Sequence, residues 1–151
     1  EAAQGTFISS TFWTERIGPS AALKTLSVME RRKSWEQITR IGRTIRQGWQ
    51  DLGDKHGLKM EHWGLPALAE FSFQSTQALA YKTLITQEML AKGYLAGNSV
   101  YVCIDHTPEV VGEFLAALDP IFALVSECEE GRDVLELLRG PVCHDGFKRL
   151  N

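Results

Sequence analysis

Apolar residues recur at every third or fourth position between residues 34 and 53, which is the spacing of one face of an α-helix. The members of this stripe are Trp35, Ile38, Ile41, Ile45, Trp49 and Leu52. Ser34, followed three positions later by Gln37, matches a capping box, and Gly53 is typical of a helix end. The sequence therefore predicts an amphipathic helix over residues 34–52.

A shorter apolar stripe precedes this helix. It consists of Ala22, Leu23, Leu26 and Met29. Pro19 stands just ahead of the stripe, and proline is favoured in the first turn of a helix because its missing N–H has no partner to lose there. The charged residues 30–33 interrupt the pattern, so we predict a separate helix that begins near Pro19.

Beyond Gly57 the pattern changes to shorter segments. Loose alternation and β-branched residues predict strands at residues 58–63, 68–73 and 100–104. Helical spacing predicts helices at residues 75–92, from Thr107 onward, and at residues 131–139. Thr107 is expected to cap the second of these helices, with Pro108 at its first position. Pro120 is expected to break or kink the helix that follows Thr107. Helices thus flank a few short strands without regular alternation, which predicts the α+β class.

The composition is that of a folded domain, with 151 residues, 44% of them hydrophobic and 23% charged. A net charge of −3 gives no reason to expect nucleic acid or an anionic membrane as a partner. No apolar run approaches the roughly 20 residues that cross a bilayer. The three cysteines, Cys103, Cys128 and Cys143, lack CxxC spacing and fit free thiols in a reducing cytoplasm.

Hydroxyl side chains are concentrated just ahead of Pro19. In residues 6–14, Ser and Thr alternate with aromatic residues and lead into the first predicted helix. The free N–H groups and partial positive charge at a helix N-terminus favour an anion at this place. The alternative is a polar loop with an ordinary N-cap, because Ser and Thr are common in loops and caps.

Residues 10–23, STFWTERIGPSAAL, resemble the segment that opens the C-terminal part of class III pyridoxal-phosphate (PLP) aminotransferases, a group that includes glutamate-1-semialdehyde aminomutases. Residues 106–109, HTPE, resemble the start of a late helix in the same family. The resemblance implies the C-terminal small domain of a fold type I PLP-dependent transferase, in which helices cover a short antiparallel sheet. It assigns residues 1–18 to a remnant of the large-domain segment near the cofactor phosphate, and residues 19–151 to the small domain.

The same resemblance implies residues near PLP and the substrate. Thr11 falls on a family threonine that donates to the cofactor phosphate of the other subunit, and Ser10 is expected to assist it. Trp13 in the same loop and Asn98 in a later loop are expected to contact the substrate. Asn98 stands where aminomutases tend to carry an acid, so the substrate need not be glutamate semialdehyde. The ordinary interpretation of Asn98 is a turn residue.

Transamination also needs a Schiff-base lysine and an acid beside the pyridinium nitrogen, and in the family both lie in the large domain. The lysines of this chain lie in predicted helices or charged surface segments: Lys24, Lys33, Lys55, Lys59, Lys82, Lys92 and Lys148. We therefore expect a C-terminal fragment, inactive alone, of a homodimeric cytoplasmic enzyme. That enzyme would transfer an amino group between an amino compound and an aldehyde or keto acid.

Two other functions fit the residues less completely. One is a non-catalytic interaction module that has the aminotransferase small-domain fold. The other is a protein that binds a phosphate ligand through the row Arg40, Arg43 and Arg46, although such a row is ordinarily a solvated face. Neither accounts for the resemblance of residues 6–23.

The remaining candidates for chemistry are weak. His56 and His62 have a poor spacing for a metal ion, and no metal is expected. His106 follows Asp105, and we expect both to serve a corner between a strand and a helix. Cys143 and His144 are adjacent, and neighbouring residues rarely face each other as nucleophile and base.

Overall fold

The computed structural model describes residues 15–144 and 146. The chain contains two compact units, Glu1–Ser34 and Trp35–Asn151. In chain order the elements are α1 (Ile17–Arg32), α2 (Ser34–Lys55), β1 (Met60–Leu65), β2 (Leu68–Phe73), α3 (Ala78–Ala91), β3 (Ser99–Tyr101), α4 (Pro108–Glu129) and a 3₁₀ helix (Val134–Leu137). The predicted contacts of Ser10, Thr11 and Trp13 lie outside the described residues, and the predicted division at residue 18 stays a prediction.

The first unit contributes α1, which confirms the helix predicted near Pro19. Pro19 lies in the first turn, where backbone N–H groups have no acceptor within the helix. Lys33 caps the end of the helix. It has a φ of 46°, and its backbone N–H donates to the carbonyl of Glu30 at 3.2 Å. Ile17 and Leu23 are 76% and 70% exposed. The apolar stripe of α1 is therefore present but unburied.

The second unit is built on a three-stranded antiparallel sheet in the order β1–β2–β3. A two-residue turn, Pro66-Ala67, joins β1 to β2, with Leu65 opposite Leu68. β3 runs beside the first half of β2. Together with the flanking helices, this sheet confirms the predicted α+β class and its short antiparallel sheet.

One edge of the sheet is β3. Val100 pairs with Ala69 of β2. The backbone N–H and C=O groups of successive residues in an antiparallel strand point to opposite sides. Those of Ser99 and Tyr101 therefore point away from β2. Among the described residues no further strand pairs with that edge, and Tyr101 is 80% exposed.

An aromatic cluster forms the core beneath β2. Ala69, Phe71 and Phe73 alternate onto the buried face of this strand, as the period of two requires. The ring centroid of Phe71 is 4.7 Å from that of Trp49 in α2, and the centroid of Phe73 is 5.3 Å from that of Phe122 in α4. Such pairs contribute roughly 0.5–1.5 kcal/mol each beyond the burial of their area. The cluster therefore fixes α2 and α4 against the sheet.

Glycine allows α2 to lie directly on the β1–β2 turn. A Cβ atom at Gly42 would be 1.7 Å from the carbonyl oxygen of Pro66, which is backbone and cannot move aside easily. Gly48 in the same helix faces the side chain of Leu115 from α4. The approach of α2 to the hairpin thus depends on the absence of a side chain at position 42.

A polar cluster joins the end of α2 to α4. The ammonium of Lys55 lies 2.6 Å from Oδ2 of Asp119, and Nε2 of His56 lies 2.7 Å from Oδ1. The hydroxyl of Ser126, about two helical turns further along α4, donates to the backbone carbonyl of His56 at 2.8 Å. Both carboxylate oxygens of Asp119 are therefore occupied by groups from α2 and the residue after it.

The predicted end of α2 at Gly53 was wrong, and of the break or kink predicted at Pro120 the break does not occur. α2 continues through Gly53 to Lys55, because Gly53 is buried against Met60, and the chain leaves the helical path at Gly57, which has a φ of 68°. α4 runs through Pro120 to Glu129 without ending. Pro120 and the residue four positions earlier are both exposed, so water can satisfy the carbonyl that the proline leaves unpaired.

Other boundaries also differ from the predictions. The helix predicted at residues 131–139 is only the 3₁₀ helix Val134–Leu137. The strand predicted at residues 100–104 is the shorter β3, because pairing ends where Val102 donates to Ala67 in the hairpin turn. The predicted capping box at Ser34 is absent, since its hydroxyl has no hydrogen-bond partner. α3 begins at Ala78, and the hydroxyl of Ser75 caps the turn before it.

Replacing Gly42 by Ala is expected to lower the free energy of unfolding by about 2–3 kcal/mol, because the new methyl group collides with the Pro66 carbonyl. Gly112→Ala is the matched control, since Gly112 lies in α4 and a methyl group added there would meet no atom within 4 Å. That control should raise the free energy of unfolding by up to about 1 kcal/mol through helix propensity. Urea unfolding of both variants measures the difference, and equal effects would contradict the close approach.

Asp119→Asn is expected to reduce stability at neutral pH by about 1 kcal/mol, a modest value because the Asp119 side chain is 33% exposed to screening solvent. The Lys55 ammonium, and next the His56 ring, hold the pKa of Asp119 below its usual range. The stabilisation is therefore complete above the ordinary aspartate pKa near 4 and is lost as the pH falls through the depressed folded value.

Unfolding measured between about pH 7 and pH 2 tests this dependence. The difference between wild type and Asp119→Asn should vanish at the acid end. Asp51→Asn is the control, because Asp51 only accepts a bond from Gln47 within α2. A difference that persists at the acid end would show that the carboxylate charge is not what stabilises the junction.

Candidate functional site

Asn98 holds the loop 94–98 against β2. Its side-chain Nδ2 donates to the carbonyl of Phe71 at 2.8 Å, and its own carbonyl accepts from the Phe71 N–H at 3.0 Å. Phe71 is the residue at the centre of the aromatic core. The amide of Asn98 therefore fixes the course of the loop, and its predicted contact with substrate stays a prediction.

His106 organises the corner between β3 and α4. The backbone N–H of Cys103 donates to the ring Nδ1 of His106 at 3.2 Å, and the backbone N–H of His106 donates to the Cys103 carbonyl. Thr107 follows as N-cap of α4, with its hydroxyl accepting the N–H of Val110 at 3.4 Å. Pro108 takes the first helical position. The predicted corner role of His106 and the predicted cap at Thr107 are both confirmed.

Two depressions adjoin this corner. The first, which we call the apolar cleft, has a volume of about 160 Å³ and is lined mainly by Ile45, Tyr94, Val100, Val110 and Phe114. The second, which we call the polar cleft, has a volume of about 350 Å³ and includes Gln37, Arg40, Thr44 and Thr107. The side chains of His106 and Val111 line both. Sequence reasoning missed these clefts because their walls come from α2, the loop 94–98 and α4.

The three arginines of α2 have different surroundings. Arg46 is half-buried, and its guanidinium lies 3.4 Å from the carbonyl of Gly64 in β1. Arg40 and Arg43 are exposed and line a shallow depression beside Trp35. The three arginines of the predicted row therefore do not form one binding surface. Of the three, Arg40 also lines the polar cleft.

A carboxylate cluster at the other end of α4 was also missed by the sequence analysis. Ser75 and Tyr81 both donate to Oε1 of Glu129, at 2.7 Å and 2.5 Å. Burial, followed by the hydrogen bond to Glu129, raises the pKa of Tyr81 far above its ordinary value. This pairing ties α3 to the end of α4 and gives Tyr81 a phenol that stays protonated.

The remaining histidine and cysteine candidates are engaged separately. His62 lies 3.0 Å from Oε1 of Gln50, and burial together with the charge of Arg46 lowers its pKa. The Cys143 N–H donates to Thr83 of α3 at 3.0 Å. Within residues 15–144 no group of three or more His, Cys, Asp or Glu side chains could hold a metal ion. All three cysteines are free, as predicted.

The helices of the described residues differ from membrane-spanning helices. None of them combines the length and the apolar character that a bilayer crossing requires.

The described lysines do not have the surroundings of a Schiff-base lysine. The described lysines are exposed except Lys82, which is half-exposed, and Lys55 and Lys92 are engaged with Asp119 and the carbonyl of Ala117. A Schiff-base lysine is instead expected in a desolvated pocket. The predicted phosphate donors Ser10 and Thr11 lie ahead of the described part.

Known proteins with similar sequences are aminotransferases. The chain is 26% identical over 129 residues to 3-aminobutyryl-CoA aminotransferase of Cloacimonas acidaminovorans (strain Evry), covering 80% of this chain and 30% of that protein. It is 30% identical over 115 residues to 2'-deamino-2'-hydroxyneamine transaminase of Streptomyces kanamyceticus, covering 72% and 29%. It is 23% identical over 127 residues to aminopentol aminotransferase of Sphingopyxis macrogoltabida, covering 83% and 30%. The chain spans about 30% of the length of these relatives, and no family model matches it.

Solved structures with a similar fold are also transaminase structures. The structure of the PLP internal aldimine form of the FumI protein from Sphingopyxis sp. MTA144 superposes with a TM-score of 0.72 at 21% identity, covering 91% of this chain and 34% of that one. A PLP-bound transaminase superposes with a TM-score of 0.65 at 20% identity, covering 84% and 31%. The predicted resemblance to aminotransferases and the predicted transaminase small-domain fold are confirmed.

Asn98→Asp is expected to lower the free energy of unfolding by about 1–3 kcal/mol at neutral pH, because it removes a donor and sets a carboxylate against the Phe71 carbonyl oxygen. Asn98→Ala, which removes the bond without adding charge, should cost less. Lowering the pH to about 3 should recover part of the difference, since a protonated carboxyl can donate again. If both variants unfold like wild type, the amide does not hold the loop.

Proposed function

We propose that this chain is the C-terminal small domain of a class III PLP-dependent aminotransferase. The intact enzyme would transfer an amino group between an amino compound and an aldehyde or keto acid. The observation that carries the proposal is a match to aminotransferases over 72–83% of this chain at about 30% of their length. The TM-score of 0.72 with the FumI structure supports it independently of sequence.

In this proposal the chain positions the cofactor phosphate and part of the substrate pocket. The hydroxyl of Thr11, assisted by Ser10, would donate to the phosphate of PLP bound in the partner subunit of a homodimer. Bound PLP supplies an electron-accepting ring, which is the chemistry that amino transfer requires. The side chains of this chain neither carry nor move the transferred proton, so their contribution is binding and orientation.

The substrate wall would come from Trp13 and the loop 94–98. Asn98 already uses its amide to hold Phe71, so we infer that it shapes the pocket by fixing the loop. A small amino or aldehyde substrate is the ligand proposed for that pocket. We place the intact enzyme in the cytoplasm, which suits the free thiols of Cys103, Cys128 and Cys143.

A rival function is a non-catalytic interaction module with the same fold. The exposed apolar side chains Leu95 and Tyr101, at 96% and 80% exposure, favour a covered surface in either case. The coding sequence ahead of the Glu1 codon separates the two. A large α/β domain with a lysine shortly before Glu1 supports the aminotransferase, and a start codon there supports the module.

Thr11→Val in the intact enzyme is expected to weaken PLP binding about tenfold or more, because a hydrogen bond to a charged phosphate is worth roughly 1.5–3 kcal/mol. PLP release followed by its absorbance measures the change. Thr6→Val in the same segment is the control and should bind PLP like wild type. The chain alone should show no amino transfer from any donor, and unaltered PLP binding by Thr11→Val would refute the phosphate contact.

A further inference from the structure

The polar cleft differs from the apolar cleft in the charged side chain of Arg40 on its wall. The apolar cleft lies between α2, the loop 94–98 and α4, where Tyr94 and Phe114 pack edge to face at 6.3 Å. Val110 on its rim is 43% exposed. A cavity of about 150 Å³ with apolar walls is large enough to hold a benzene ring. The apolar cleft, at about 160 Å³, therefore accepts an apolar body of that size.

The imidazole of His106 supplies a fixed donor where the clefts meet. Its Nδ1 accepts the N–H of Cys103, so in the neutral ring the proton resides on Nε2. The ring is half-buried and forms part of the wall of both clefts. The ring that lines both clefts therefore has one nitrogen free to donate a hydrogen bond.

Arg40 brings a positive charge to the polar cleft, whose wall it shares with His106. Its side chain is exposed and lines the polar cleft, and among the described residues its guanidinium takes part in no ion pair or hydrogen bond. A guanidinium binds a carboxylate through two parallel hydrogen bonds. The polar cleft therefore offers a planar cationic group that no anion of residues 15–144 neutralises.

The N-terminus of α4 does not complete this site. The hydroxyl of Thr107 accepts the Val110 N–H. The same hydroxyl and the backbone N–H of Glu109 hold the pKa of the Glu109 carboxyl below its usual range, so that carboxylate already occupies the helix end. The anion of a ligand is left with Arg40 and His106 as its donors.

We propose that the two clefts bind one small molecule with an apolar body the size of a phenyl ring and a single carboxylate. The body occupies the apolar cleft among Tyr94, Val110 and Phe114, and the carboxylate lies between His106 Nε2 and Arg40. One guanidinium and one neutral N–H match a monoanion better than a dianionic phosphate, which generally collects several cations. The proposal does not rest on the aminotransferase function.

3-Phenylpropionate is the probe that tests this site. At roughly −0.3 kcal/mol per non-hydrogen atom it should bind the purified chain with a Kd of about 4 mM. Amide chemical shifts followed by NMR should move in a saturable way at residues 94–96, 106 and 110–114. The neutral isostere 3-phenylpropionamide should bind at least about tenfold more weakly, because it lacks the charge that Arg40 recognises.

Two variants give the decisive comparison. Arg40→Gln should weaken 3-phenylpropionate binding about tenfold and leave the amide isostere unaffected. Arg43→Gln should change neither, because Arg43 lines only the depression beside Trp35. Both positions are exposed, so folding is preserved.

Each other outcome overturns the proposal. No saturable shift up to about 40 mM probe, roughly ten times the expected Kd, would mean that the clefts bind no such ligand. Equal affinity for the acid and the amide would show that the site does not recognise the carboxylate. Equal loss of affinity in the Arg40 and Arg43 variants would show that the probe is attracted only by the general positive charge of α2. None of these results bears on PLP binding by the intact enzyme, which the Thr11 variant reports.

Discussion

The packing of Phe71 against α2 and α4 is the interaction on which the second unit depends. A sheet of three short strands has little area of its own, so its single buried face must be covered by large side chains. Phe71 meets Trp49 of α2 at 4.7 Å and Phe122 of α4 at 5.9 Å. The backbone of the same residue is held by Asn98. One position thus joins the sheet, two helices and the loop that borders the clefts.

Two devices allow α2 to serve this core. Gly42 lets the helix lie on the Pro66 turn, and the pairing of Asp119 with Lys55 and His56 secures its other end to α4. The first is a steric condition that no polar group could replace. The second is partly exposed and contributes less, but it fixes the register of two long helices that otherwise meet through apolar contacts.

Much of this fold follows from local signals. The stripe from Ile38 to Leu52 and the Thr107-Pro108 cap predicted α2 and the start of α4, because periodicity and capping are properties of neighbouring residues. The end of α2 and the passage of α4 through Pro120 depend on burial and solvent access instead. Gly53 looks like a stop until Met60 is known to lie over it. Such errors arise wherever tertiary contacts override a local preference.

The candidate sites likewise divide into features that local sequence signals predict and features that depend on tertiary contacts. His106 was recognised as a corner residue because its neighbours in sequence are also its hydrogen-bond partners. The clefts on either side of it, and the Glu129 cluster with Tyr81, combine residues up to about 70 positions apart and have no linear signature. Similarity to aminotransferases supplied what neither periodicity nor composition could, namely a reaction class. The structure then showed that Asn98 serves the sheet as well as the loop.

The brevity of β3 has a consequence for how this protein behaves when crowded. A free strand edge is a template on which another chain can add, and it is the usual starting point for edge-to-edge aggregation. β3 offers only the outward backbone groups of Ser99 and Tyr101 before the chain turns away at Val102. An incoming strand would gain too few hydrogen bonds to offset the ordering of its own backbone. The early end of β3 therefore makes this edge of the sheet a poor template for fibril-like growth, whereas a longer and more regular β3 would be a better one.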